Sequence, residues 1–272
     1  MVIVPAARKH EAATRRLPLA QRRHSVSLLP RSAREKADAS RYLIHRFLDQ
    51  AAKEIPVGAL ILDAGAGNGR YRPLFERQRY IAADFCRVEG KNYGRIDVVT
   101  DLAEPGLKDG SLDAVVSTQV LEHIREPGQF LAQLARLLKP GGSLYLTCPL
   151  NWGVHEAPYD FYRYTRYALE DLVQSAGLEL RSIVPMGGYF CLLGKILSRL
   201  PYQLDEPRRG IFRRWIFKTC FILLKEVFHY WMPYLLVHLD FLDKKKDFTL
   251  GYLCHATRPA GPAWGEPARA CQ

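Results

Sequence analysis

The chain has 272 residues, enough to bury a full core as one large domain or as one domain carrying a substantial insertion. With 48% hydrophobic and 25% charged residues it is globular in composition, which excludes a disordered or fibrous chain. The formal net charge of +11 calls for an acidic partner, whether nucleic acid, anionic lipid or a phosphorylated substrate.

The positive excess lies near the N-terminus and between Lys195 and Lys246, while the central glycine-rich stretch is close to balanced. Cys86, Cys148, Cys191, Cys220, Cys254 and Cys271 form no C-x-x-C pair and no zinc spacing, which fits reduced thiols in a cytoplasmic protein. No run reaches the roughly 18 uninterrupted apolar residues of a membrane span. The opening MVIVPAARKH is too short in its apolar part for a signal peptide, and composition alone leaves a transit peptide open over the Arg-rich, acid-poor residues 1–36.

Residues 1–31 carry the pairs Arg8-Lys9, Arg15-Arg16 and Arg22-Arg23 without apolar periodicity, and read as a flexible basic arm. Tyr42, Leu43, Phe47, Leu48 and Ala51 recur at helical spacing, so 32–55 is a predicted helix stopped by Pro56 and Gly58. Predicted strands follow at 59–64, 80–84, 94–101, 112–118, 143–148 and 178–184. Helices are predicted at 126–138 and 165–176, the second with Thr165 as N-cap and Gly177 beyond its end. Such alternation predicts a doubly wound, largely parallel sheet with its ligand at the carboxyl ends of the strands.

The most informative stretch is LILDAGAGNGRYRPLF, residues 60–75. An apolar run ends in Asp63, and Gly65, Gly67 and Gly69 then form a tight turn ahead of a predicted helix start. A carboxylate just before the first glycine repels a pyrophosphate and attracts an amino group near a positive centre. That choice favours S-adenosylmethionine (SAM) over NAD.

Taken together, these motifs resemble those of class I SAM-dependent methyltransferases, over residues 60–184. LDAGAGNG resembles the family's first motif, with Asp63, Gly65, Ala66, Gly67, Asn68 and Gly69 as its cofactor-binding residues. The resemblance implies that Asp84, followed by Phe85, meets the ribose, and that Asp101 and Leu102 lie beside the adenine. LDAVVSTQVLEHI resembles the family's fourth-strand motif and brings Gln119 to the cofactor, and LLKPGGSLYLTCP resembles the fifth-strand motif. It further implies a Rossmann-like sheet of seven strands whose last is antiparallel, placed at 248–256. The core is then 32–187, a helical insertion fills 188–247, the last core strand 248–257, and a tail 258–272.

NWGVHEAPYDFYRYT, residues 151–165, falls where an acceptor should meet the methyl group, and its H-x-x-P-x-D-F-x-R-Y-T pattern resembles methyltransferases of polysaccharide and glycolipid gene clusters. His155 is the candidate base. His123, Trp152, Tyr159, Asp160 and Arg163 are candidate substrate residues, with an Asp160–Arg163 structural ion pair as the alternative. Some relatives hold a metal with an acid and histidines near Glu122-His123; Gln119, where such sites tend to have another carboxylate, argues against one here.

Within the insertion, Arg214, Lys218 and Lys225 fall on one helical face, and Phe212, Trp215, Ile216, Ile222 and Leu223 cover much of the rest. Cations opposite aromatics suit an anionic membrane surface met through residues 205–246, aided by Lys244-Lys245-Lys246, although a substrate cap would show the same pattern. The expectation is an O-methyltransferase for a sugar, glycolipid or other small lipophilic acceptor, cytoplasmic and membrane-associated. RNA methylation is a second reading, weakened by the absence of an N/D-P-P-Y/F motif and of an RNA-binding module. A SAM-binding protein without catalysis is a third.

Overall fold

The computed structural model describes residues 27–204 and 211–261. Most of the expected basic arm, the basic pair Arg208-Arg209 and most of the tail lie outside the described residues.

Seven strands form one sheet in the order β3-β2-β1-β4-β5-β7-β6. They are β1 (Leu60–Ala64), β2 (Arg79–Asp84), β3 (Val98–Val99), β4 (Leu112–Thr118), β5 (Leu138–Pro149), β6 (Glu179–Pro185) and β7 (Gly251–Thr257). β1 to β5 run parallel, and β7 is antiparallel to both β5 and β6. Successive residues of the central strands are buried on opposite faces. Leu62 and Val115 meet α3 (Pro127–Leu137) and α4 (Arg166–Ser175), while Ile61 and Val116 meet α2 (Ala39–Glu54). Two-sided burial is why β1 and β4 carry the short consecutive apolar runs 60–62 and 114–116. The strand order reverses between β1 and β4, and the loops after these two strands meet there. A Cβ on Gly65 would stand 2.3 Å from Val120 Cγ2, at φ +91°.

The structure departs from the expected elements in four places. The single helix at 32–55 is two, α1 (Arg31–Ala37) and α2, broken at Asp38, whose carboxylate takes Lys195 at 3.1 Å and Arg41 at 3.2 Å. No full helix follows the glycine turn. Pro73 enters a single 3₁₀ turn, Arg72–Phe75, and the chain reaches β2 within four residues. The third strand shrinks to two residues at the sheet edge, because Gly94 N is bound to Gly67 O (2.9 Å) and Asp97 Oδ2 accepts from Ala82 N (3.0 Å). β5 begins earlier than expected, since Leu138 already pairs with Leu112 of β4 and Gly141, at φ +79°, lets the 139–142 bend bond to Arg258 before the ladder resumes at Ser143.

The segment before β7 contains α5 (Tyr189–Arg199), α6 (Ile211–Leu224), a wider-turned stretch Lys225–Trp231, and α7 (Met232–Leu239). Asp240 gathers its two ends by accepting from Gly188 N (2.9 Å), Cys191 N (3.1 Å) and Lys246 Nζ. Residues Ile216–Leu242 form one helix of 27 residues, long and apolar enough by length and composition to cross a membrane, with 6% of its apolar window buried. The sequence shows no such uninterrupted run because Lys218, Lys225 and Glu226 punctuate it. Glu226 is held by Ser27 Oγ (2.9 Å) and Leu28 N (2.8 Å), and Pro233 packs on Gly194. One side of the helix is thereby fixed to the protein.

Candidate active site

The glycine turn is tied down from both flanks. Gly65 N and Ala66 N donate to Ala83 O at 2.9 and 3.0 Å, and Asp84 accepts from Gly67 N (2.9 Å) and Cys86 N (3.0 Å). Asp84 therefore shapes the turn through its carboxylate. Gly94 lies so close that a Cβ would meet Asn68 O at 2.4 Å, and the Lys91 side chain passes over Gly67. Asn68 is exposed, Gly69 takes φ +69°, and Phe85 is half-buried with the Arg87 guanidinium 4.2 Å from its ring centre.

Asp63 is buried. Its Oδ2 accepts from the Tyr80 hydroxyl, while its Oδ1 has no hydrogen-bond partner. Burial pushes its pKa up to about 6, helped by the Asp84 charge and opposed by the Tyr80 hydrogen bond. A buried carboxylate oxygen without a donor destabilises the fold, and an ammonium-bearing ligand offsets that cost. The residues present thus fit a cationic donor such as SAM. Gln119 holds φ +54° at the end of β4, with Nε2 donating to Thr147 Oγ1 at 3.2 Å. A non-glycine residue in this region is strained and marks the turn as built for position.

The third acid behaves differently. Asp101 is exposed and accepts from Ala103 N at 2.9 Å, capping its own turn, and Leu102 is packed into the core. Asp63 and Asp84 act on each other electrostatically; Asp101 belongs to a separate turn beyond β3.

Beyond β5, residues 151–163 fold back over the loop after β4. Phe161 N and Tyr162 N donate to Glu122 O (2.9 and 3.2 Å), and the Tyr164 hydroxyl donates to Leu121 O at 3.0 Å. Asp160 and Arg163 form a two-pronged pair at 2.6 and 2.8 Å, with the Asp160 side chain only 2% exposed. The Arg163 hydrogen bonds hold the Asp160 carboxyl well below its usual range. Arg163 also donates to the carbonyls of Trp152, Gly153 and Tyr162. These two side chains, expected as substrate residues, are occupied in holding the loop, so the structural ion pair is what the fold contains. Tyr159 is exposed at the rim, its carbonyl bound to His123 Nδ1 at 2.7 Å.

His155 is oriented from behind. Its Nδ1 lies 3.1 Å from Gly153 O and 3.3 Å from Asp160 Oδ2, which leaves Nε2 as the acceptor nitrogen. Its ring meets His123 edge-on, with centres 4.7 Å apart. Beneath them Glu122 is fully buried, neither oxygen having a hydrogen-bond partner, and burial raises its pKa to about 8. Burial also lowers the pKa of His123. Glu122, His123 and His155 present ligand atoms within 4.8 Å of one another, a set able to hold a divalent metal. Gln119 supplies no carboxylate to this set; its third member is His155, which lies 32 positions from His123 and arrives only through the fold. Glu156, at 4.0 Å from His123 and paired with Lys91 at 2.8 Å, closes this side and was not foreseen either.

The sheet order, the glycine turn and the acid at its mouth define a Rossmann-like class I methyltransferase fold. Residues 34–183 match the family described as a methyltransferase domain, and the chain belongs to that family. A SAM-dependent methyltransferase of Mycolicibacterium smegmatis is 29% identical over 50% of this chain and 58% of its own length. The ubiquinone biosynthesis O-methyltransferase of Xanthomonas axonopodis is 33% identical over 36% of this chain and 46% of its own. The chain thus spans about half the length of these curated relatives. Among solved structures, one chain of a complex between the Haloferax volcanii Trm112 methyltransferase activator and a methyltransferase superposes with TM-score 0.51, at 17% identity, over 86% of this chain and 97% of that one.

Proposed function

We propose that the chain transfers a methyl group from SAM to a hydroxyl of a sugar, glycolipid or other small lipophilic acceptor, in the cytoplasm and against an anionic membrane. The observation that carries this reading is His155, oriented through Nδ1 at the carboxyl edge of the sheet and lining one cavity with α5 of the insertion. SAM supplies a methyl group on sulfonium, already a good leaving group, so the protein's work is alignment, desolvation and removal of the acceptor proton. Asp63 and the backbone of Gly65 to Gly69 are the residues that would hold it. His155 Nε2 takes the hydroxyl proton, and Asp160 steadies the imidazolium that forms. The name of the Xanthomonas relative supports oxygen as the target atom.

The membrane reading is supported by the outer face of the long helix. Leu223, Val227, Trp231, Leu235 and Leu239 are all more than 40% exposed and step by four residues. The wider turn at Lys225–Trp231 offsets the drift such a stripe shows on a regular helix. Phe241 and Phe212, both 72% exposed, extend it, and Arg213, Lys218, Lys244 and Lys245 are exposed cations nearby. Two expected cations do not take part. Lys225 is half-buried against Tyr202, 5.9 Å from its ring centre, and Lys246 is used by Asp240. The side chains of Arg214 and Trp215 lie outside the described residues.

Labelled SAM offered with total lipid, polysaccharide and RNA fractions tests the reading. Label in lipid or polysaccharide is expected; label in RNA alone overturns the acceptor assignment.

A further inference from the structure

The acceptor loop and the insertion share a cavity. Leu192, Lys195, Ile196 and Arg199 fall on one face of α5, and with Trp152 and His155 they line a space of about 450 Å³. Lys195 Nζ stands 4.3 Å from the centre of the Trp152 ring, and Arg199 Cζ 5.3 Å. Two cations that share one indole repel each other, and more strongly where water is displaced. The carboxylate beside them is Asp38, at 3.1 Å from Lys195, and Arg41 already draws on it at 3.2 Å. Positive charge is therefore in excess at this wall. Burial holds the Lys195 pKa below its ordinary value despite Asp38, so the site gains from a further anion. The indole is itself fixed, because the Trp152 carbonyl accepts from Arg163 Nε at 3.1 Å. The same ion pair that orients His155 thus sets this platform.

We propose that this cavity is the anion subsite of the acceptor and takes a phosphate or diphosphate ester, with Lys195 and Arg199 as its ligands and Trp152 as the platform beneath the adjoining ring or chain. The proposal rests on the functional reading above, since it uses His155 as the end of the site where the hydroxyl lies. A guanidinium and an ammonium together suit a multiply charged phosphate oxygen cluster. From the cavity mouth the exposed Ile196 and Leu200 lead along α5, so a lipophilic chain esterified to the phosphate would leave over apolar surface.

Tryptophan fluorescence titration of the full chain tests this, with inorganic diphosphate, farnesyl diphosphate and phosphatidylglycerol vesicles as probes and Trp152→Phe to assign the signal. Both diphosphates are expected to quench Trp152, and Arg199→Gln is expected to weaken both roughly tenfold, the loss of one charge-assisted contact. Arg199 is exposed, so the variant keeps the rise in Tm given by S-adenosylhomocysteine. An Arg199-dependent signal from vesicles alone assigns the phosphate to a bilayer headgroup and keeps the subsite. Equal affinity in wild type and Arg199→Gln, or no binding of any probe, overturns it; methyl transfer stands in that case if S-adenosylhomocysteine still raises Tm. Absence of that rise in the wild type strikes the functional reading, and the subsite with it.

Discussion

The carboxyl edge of the sheet and the long helix of the insertion dispose of their chemistry in opposite ways. At the sheet edge, carboxyl groups are turned inward: Asp63 and Glu122 are buried with oxygens that lack donors, and the Asp160 side chain is covered by Arg163. On the helix, apolar surface is turned outward, with Ile222 and Leu223 both above 60% exposed. Each arrangement destabilises the isolated chain, because buried carboxylates resist ionisation and exposed hydrocarbon orders water. The first is relieved by a small cation-bearing ligand, and the second is the surface on which the proposed membrane contact rests.

Four experiments would break or sharpen this contrast. A large effect is expected from Arg163→Met, which leaves the covered Asp160 carboxylate without its charged, two-pronged partner and with only the His155 backbone N–H and ring beside it. Denaturant unfolding should show a loss of about 3 kcal/mol, the scale for breaking a buried pair, and an unchanged midpoint would show that the loop is held by other contacts. Next, SAM at about 100 times its Kd should stabilise the wild type by about 2.7 kcal/mol. Asp63→Ala should lose that shift in a thermal melt, and NAD producing it instead would reject the donor.

A smaller change in stability, but a clear one in partitioning, is expected from joint Ile222→Asp and Leu223→Asp substitution. Sedimentation with phosphatidylglycerol vesicles should fall roughly tenfold, with Tm nearly unchanged because both positions are exposed. Wild-type chain that stays in the supernatant would remove the membrane partner.

The last test reads a slope with pH rather than a single loss. The folded-state pKa of Glu122 is raised to about 8 from 4.5, so the folded protein holds a proton that the unfolded chain has released between those values. Stability should therefore fall as pH rises across that window. Asp63, raised to about 6, adds to the fall at its acid end. Glu122→Gln should flatten the Tm profile between pH 5 and 8, and an unaltered slope would place the proton elsewhere.

Much of the sheet was legible because its signals are local. β1 and β4 carry two-sided apolar runs, the glycines punctuate the first turn, and the closing strand follows the cofactor motifs in order. What sequence missed depends on contacts between distant residues. The edge strand β3 is cut short by hydrogen bonds to Gly67 and Ala82, which no period encodes. The helix expected after the glycines is displaced by Pro73 and a short return to β2. At the site, Asp63 and the residue types of the acceptor loop were readable, but the meeting of His123 with His155 was not, nor the burial of Glu122. Lys195 read as one charge of a basic insertion until the fold set it over Trp152 beside Asp38.

Asp240 carries a consequence of another kind. The chain leaves this carboxylate at Cys191 and returns to it at residue 240, so the two ends of the excursion are knotted together next to β6, while Lys195–Asp38 and Glu226–Ser27 hold its body to the first helices. The entropic cost of closing a loop grows only slowly with its length. The register of β6 and β7 is thus set at the knot, and a change in length between Leu200 and Ile211, away from the contacts of Lys195 and Glu226, need not re-register a strand.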